Sequence, residues 1–76
     1  MNNYDDYFTL IENYLDSLNH EYQSHDNQIE IYSTNKNIII INIKNEKLII
    51  TSDQGQDNFS KIDDFFRKLD SLLINF

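Results

Sequence analysis

Two histidines, His20 and His25, stand five residues apart, and each is followed by an acid, Glu21 and Asp26. Imidazole and carboxylate are donors from which metal sites are built, but such a site needs a third and a fourth ligand at a recognisable spacing. The chain has no cysteine and no other histidine. The pair therefore reads as solvated side chains of a polar connection, and neither a resident metal nor another cofactor is expected. Adjacent carboxylates occur twice, at Asp5–Asp6 and Asp63–Asp64. Neighbours on a helix point about 100° apart, so neither pair is placed to share a proton as an acid–base dyad does. Both suit the first turn of a helix, where negative charge meets the positive end of the dipole. Gly55 is the sole glycine, which rules out a glycine-rich phosphate loop, and no nucleophile elbow or Ser–His–Asp order is visible. An enzyme is not expected.

Binding is left, and the charge map gives it a direction. The formal net charge is −7. Residues 1–35 hold Asp5, Asp6, Glu12, Asp16, Glu21, Asp26 and Glu30 with no lysine or arginine, whereas the six bases of the chain share residues 36–76 with the other six acids. A field of that kind repels nucleic acid and anionic membrane and steers toward basic partners. All five tyrosines fall within residues 1–32, and tyrosine is a rigid, amphipathic interface residue. The candidate partner-binding set is the seven acids with Tyr22 and Tyr32, each acid standing where a phosphate would face arginine or lysine.

The elements that must carry these residues can be read from periodicity. Tyr4, Phe8, Ile11, Leu15 and Leu18 recur at helical spacing, so a helix is expected from a cap at Asn2 or Asn3 to about Asn19. His20 to Asn27 reads as a polar connection. Three strands are expected at Gln28–Thr34, Ile38–Lys44 and Lys47–Ser52, joined by short asparagine-rich links that tolerate the positive φ of tight turns. A two-residue turn at Asn45-Glu46 sets Ile43 against Leu48 and Ile41 against Ile50. A three-residue loop before Ile38 sets Ile31 against Ile41 and Ile29 against Ile43. Asp53–Asn58 reads as a turn-rich link, and Phe59, Ile62, Phe66, Leu69, Leu73 and Phe76 mark a last helix. On that helix Asp63–Arg67 and Asp64–Lys68 form i,i+4 pairs.

The expected fold is thus one α+β domain over residues 1–76, of order αβββα. Its three-stranded antiparallel meander has residues 38–44 at the centre, and two helices cover one face. At 76 residues such a chain buries only about 60% of its unfolded surface. The uncovered face would carry Ile38, Ile40 and Ile49 beside Tyr32. An apolar patch on an open face marks a partner or a second copy, so these three are the candidate self-association residues of a homodimer, with pairing through an edge strand, Gln28–Thr34 or Lys47–Ser52, as the other route. No basic segment leads into an apolar run at the N-terminus. The apolar run Ile38–Ile41 is far short of the ~20 residues of a membrane span. A cytoplasmic protein is expected.

The segment "NIIIINIKNEKLIITSDQGQDN" followed by "FSKIDDFFRKLDSLL" resembles the hairpin and following helix of small acidic anti-CRISPR proteins. That resemblance implies a phage-type inhibitor that occupies the basic groove of a nucleic-acid-handling complex as a DNA mimic. The acids here concentrate before the sheet, whereas that family is also strongly acidic in its later half. The stretch from Tyr7 to Gln54, an acidic helix leading into an acidic strand, also looks like the start of bacterial frataxin. That resemblance implies an iron-binding ridge made by the same acids and an adaptor role in iron–sulfur assembly. The later strands of frataxin, and their tryptophan, are missing. An immunity protein or secretion chaperone would use the same acidic surface on another client.

Overall fold

A computed structural model describes residues 3–33, 36–44 and 46–74, without the side chains of Asn3, Tyr4 and Asp5. The element order is α1 (Asn3–Ser17), β1 (Glu21–His25), β2 (Gln28–Tyr32), β3 (Ile38–Lys44), β4 (Lys47–Ser52), β5 (Gly55–Phe59) and α2 (Ile62–Ile74). The strands form one antiparallel sheet in the order β1-β2-β3-β4-β5. The class is α+β with a helix at each end, and the isoleucine strand β3 is central, as the sequence implies. The sheet, however, has five strands rather than three. The connection read at residues 20–27 contains β1, and the link read at residues 53–58 opens β5. Phe59 closes β5 instead of starting the last helix.

Alternation along the strands decides the two faces. Ile29, Ile31, Ile39, Ile41, Ile43, Leu48 and Ile50 are buried and form one cluster with Ile11 and Leu15 of α1 and Phe65, Leu69 and Leu73 of α2. Each such side chain removed from water contributes roughly 1.5–3 kcal/mol, which is what aligns both helices on the same side. Two edge contacts agree. Ser24, opposite Ile29, donates to Glu12 of α1, and Asp57, opposite Ile50, pairs with Lys68 of α2. Lys68 thus reaches across to β5, Nζ to Oδ2 3.7 Å, rather than along its own helix to Asp64.

The second hairpin has the register that its apolar pattern dictates: Lys44 faces Lys47, Ile43 faces Leu48 and Ile41 faces Ile50. Glu46 supplies the positive φ (63°) next to Lys47. The first pairing differs from expectation by two residues, with Ile31 opposite Ile39 and Ile29 opposite Ile41. β2 ends at Tyr32, so the loop is longer than three residues; Thr34 and Asn35 lie outside the described residues. A shift of two preserves the face of every side chain, whereas a shift of one would have inverted the strand.

The ends are built locally. Asn19 takes φ 60°, and the His20 amide donates to the Leu15 carbonyl while the Asn19 amide donates to that of Asp16. This double closure satisfies the last carbonyls of α1 and turns the chain sharply into β1. Asp26 (φ 48°) and Asn27 form the two-residue turn between β1 and β2. Gly55 enters β5 at φ 120°, a conformation glycine adopts without strain. Among the described residues no helix is long and apolar enough to cross a membrane.

Candidate functional site

In an up-and-down meander each strand lies beside its sequence neighbour, so a charge gradient along the chain becomes a charge gradient across the molecule. The acids without bases are carried by α1, β1, β2 and the turn between these strands. Lys36 lies beyond β2, Lys44 and Lys47 face each other at the end of β3 and β4, and Lys61, Arg67 and Lys68 belong to or border α2. The α1–β1–β2 side therefore carries acids and two histidines but no lysine or arginine.

The candidate residues on this side fall on three surfaces. In the helix layer, Asp6 and Asp16 are exposed and Glu12 is half-buried. The side chain of Asp5 lies outside the described residues. Glu12 Oε2 accepts a hydrogen bond from Ser24 Oγ at 2.8 Å, which ties α1 to the edge strand. Tyr22 projects from β1 onto the same face and packs against the core. Burial raises its hydroxyl pKa above the usual 10, helped by a hydrogen bond to Asp16 and by the Asp16 and Glu12 charges.

On the open face of the sheet lie Glu21, Glu30 and Tyr32. His25 Nε2 and Glu30 Oε1 are 2.6 Å apart, and Tyr32 donates to Gln23 Oε1 at 3.1 Å. Asp26 is exposed at the turn between β1 and β2. The eight candidates with described side chains thus make no single ridge. Four of them, Asp16, Glu21, Tyr22 and Tyr32, meet at the edge strand β1, where side chains from both faces converge. Asp16, His20, Glu21, Tyr22, Gln23 and Tyr32 line an open recess of about 500 Å³ there.

The histidines are not neighbours. β1 runs between them, and five positions at about 3.3 Å per residue separate them by roughly 16 Å. Among the described residues no three His, Asp or Glu side chains converge to hold a metal ion. Asp63 and Asp64 occupy the first turn of α2, in keeping with a helix-start role.

The candidate self-association residues do come together. Tyr32 faces Ile38 across the β2–β3 pair, Ile40 lies two residues along the same face, and Ile49 is the diagonal neighbour of Ile40. Ile38 is 44% exposed and the other three are half-buried. Polar partners flank the patch, with Glu30 and Thr51 opposite Ile40 and Asn42 and Asn58 opposite Ile49.

Sequence reasoning missed Gln23 and Ser24, because a strand with one apolar residue reads as a loop. The signal available was the polar pair Asp26-Asn27 between two runs that alternate, Tyr22-Gln23-Ser24 and Ile29-Glu30-Ile31. No protein-family model, curated protein or solved structure matches the chain.

Proposed function

We propose that this chain is a non-enzymatic binding protein that docks its base-free side onto a basic surface of a nucleic-acid-handling protein. It would act as an inhibitor in the manner of a DNA mimic. The observation that carries this reading is the gathering of the acids of residues 1–35 on α1, β1 and β2, with every lysine and arginine elsewhere in the molecule. Carboxylates held this way can replace phosphates in front of arginine and lysine. The fixed pair Ser24–Glu12 supports it as well, because it holds one of those carboxylates in place before any partner arrives. Preorganised groups lose less freedom on binding.

The test is capture of a client from host lysate, followed by measurement of association against salt. Raising ionic strength from 0.1 to 1 M shortens the screening length from about 10 to about 3 Å and should slow association by at least tenfold. Combined Glu12→Gln, Asp16→Asn and Glu30→Gln substitution should weaken the complex while leaving the thermal transition in place. An unchanged affinity would reduce the acidic side to a solubility surface.

A further inference from the structure

The open edge of β1 is where the molecule offers backbone as well as charge. Among the described residues β1 has a sheet neighbour on one side only, and its hydrogen-bond phase follows from the turn. His25 and Gln28 flank the two-residue turn, so they exchange both backbone bonds, and the pattern alternates from there. Gln23 with Glu30 and Glu21 with Tyr32 are then bonded pairs. The amide of Ile43 donates to the carbonyl of Asn27 at 3.1 Å, which makes Gln28–Asn42 a non-bonded pair and leaves the backbone of Gln28 free for β1. Both observations give one phase. The N–H and C=O groups of Tyr22 and Ser24 point away from the sheet, into solvent.

The other edge is guarded. β5 carries Asp57 on its helix-covered face, held by Lys68 of α2, and an inward charge on an edge strand discourages addition of another strand. β1 has no lysine and no proline. Its surroundings are acidic on both faces: Glu12 and Asp16 beside Tyr22 and Ser24, Glu21 and Glu30 on the open side.

We propose that the free edge of β1 receives an extended segment bearing lysine or arginine as a sixth strand of the sheet. The proposal rests on the basic-partner reading above and names how that partner is engaged. An added strand alternates its side chains between the two faces. Its cations would fall beside Glu12 and Asp16 on one face and beside Glu21 on the other, while Tyr22 and Ser24 supply its backbone bonds. A second copy of this chain is the less suitable occupant, because pairing two β1 edges brings two base-free sides together.

The probe is a labelled eight-residue peptide of the order Lys-Lys-Val-Val, repeated once, which puts lysine on both faces of an extended strand, compared with the same peptide N-methylated at every backbone nitrogen. Methylation keeps the charge and removes the donors. In the free chain, amide exchange should be fast at Tyr22 and Ser24 and slow at Gln23. The parent peptide should slow exchange at Tyr22 and Ser24 and bind at least tenfold tighter than the methylated one. Ser24→Pro should lose the same factor, since it removes an outward N–H and leaves the β1–β2 ladder intact, whereas Ser24→Ala, which removes only the hydroxyl bond to Glu12, should keep most of the affinity. Equal binding of both peptides would overturn strand addition while leaving charge-driven docking standing. Affinity unaffected by Glu12→Gln with Asp16→Asn would remove the docking reading too. Protection of Tyr22 and Ser24 that appears without peptide and grows with salt would assign the edge to a second copy and overturn the proposal.

Discussion

The hydroxyl of Tyr14 donates to Asp70 Oδ1 at 2.9 Å, joining α1 to α2 across 56 positions of sequence. The ring of Tyr14 also meets that of Phe66, with centroids 5.1 Å apart at 59°. Both helices lie on the same face of the sheet, and this contact is a polar link between them above the core.

The link carries a pH signature. Burial, then the hydrogen bond to Asp70 and its charge, push the Tyr14 pKa from 10.0 up to about 12. The folded state therefore keeps a proton that the unfolded chain releases. Stability from this group is complete below pH 10 and is lost as pH rises toward 12. Tyr14→Phe should flatten that alkaline fall, measured as urea midpoints between pH 9 and 12. Asp70→Asn should flatten it only in part, because burial is the largest cause and survives the change. A fall of the same steepness in Tyr14→Phe would assign it to other groups.

Adjacent isoleucines on β3 should behave oppositely. Ile41 is 1% exposed, between Ile29 and Ile50 on the inner face. Ile41→Ala leaves a cavity and should cost about 2–5 kcal/mol, a large share of the roughly 5–15 kcal/mol of a small domain. Ile40, one residue earlier, faces outward, and Ile40→Ala should cost under about 1 kcal/mol. Urea unfolding of the two variants checks the register directly, and equal losses would contradict it.

The legible part of the fold is the part that buries side chains. β3 and β4 could be bounded and paired from sequence because every second residue is a buried isoleucine or leucine. β1 and β5 were not legible. Each has one apolar residue, Tyr22 and Phe59, and the rest are exposed and polar. An edge strand with solvent on one face and one flank is held by its ladder bonds, and ladder bonds leave no mark in hydrophobic periodicity. The two-residue error between β2 and β3 has a related origin: both registers keep Ile29 and Ile31 inside, so burial alone could not choose between them. The acids were recognised from composition, but their convergence on β1 depended on a strand that was itself invisible.

Asn19 is the hinge between α1 and β1, and its φ of 60° sets what the position accepts. Asn19→Gly should leave stability within about 0.5 kcal/mol or raise it, since glycine is the usual residue at this cap. Asn19→Val forces a β-branched side chain into the left-handed region and should cost roughly 1–2 kcal/mol. Thermal unfolding of the pair tests it, and a harmless valine would mean the turn relaxes into another conformation. Because this turn aims the chain into β1, the valine variant should also weaken any partner that binds at that edge.

The open face yields the last prediction. Ile38, Ile40 and Ile49 with Tyr32 form one continuous apolar strip across β2, β3 and β4, and no described helix covers it. Each Å² of such surface buried by a second copy contributes roughly 25 cal/mol. Polar neighbours on every side limit the area, so we expect a weak, concentration-dependent dimer rather than an obligate one. Light scattering across a concentration series should show the apparent mass rising toward twice 9.1 kDa. Ile40→Lys should hold the chain as a folded monomer, because residue 40 lies between Glu30 and Thr51 and its ammonium group can reach water. Ile49→Lys should act in the same direction, whereas Leu10→Lys, on an exposed position of α1, should leave the mass unchanged. A monomer at every concentration in the unsubstituted chain would leave the strip as strand-forming isoleucine with no partner of its own kind. Loss of dimer only with Leu10→Lys would move the contact to the helix layer.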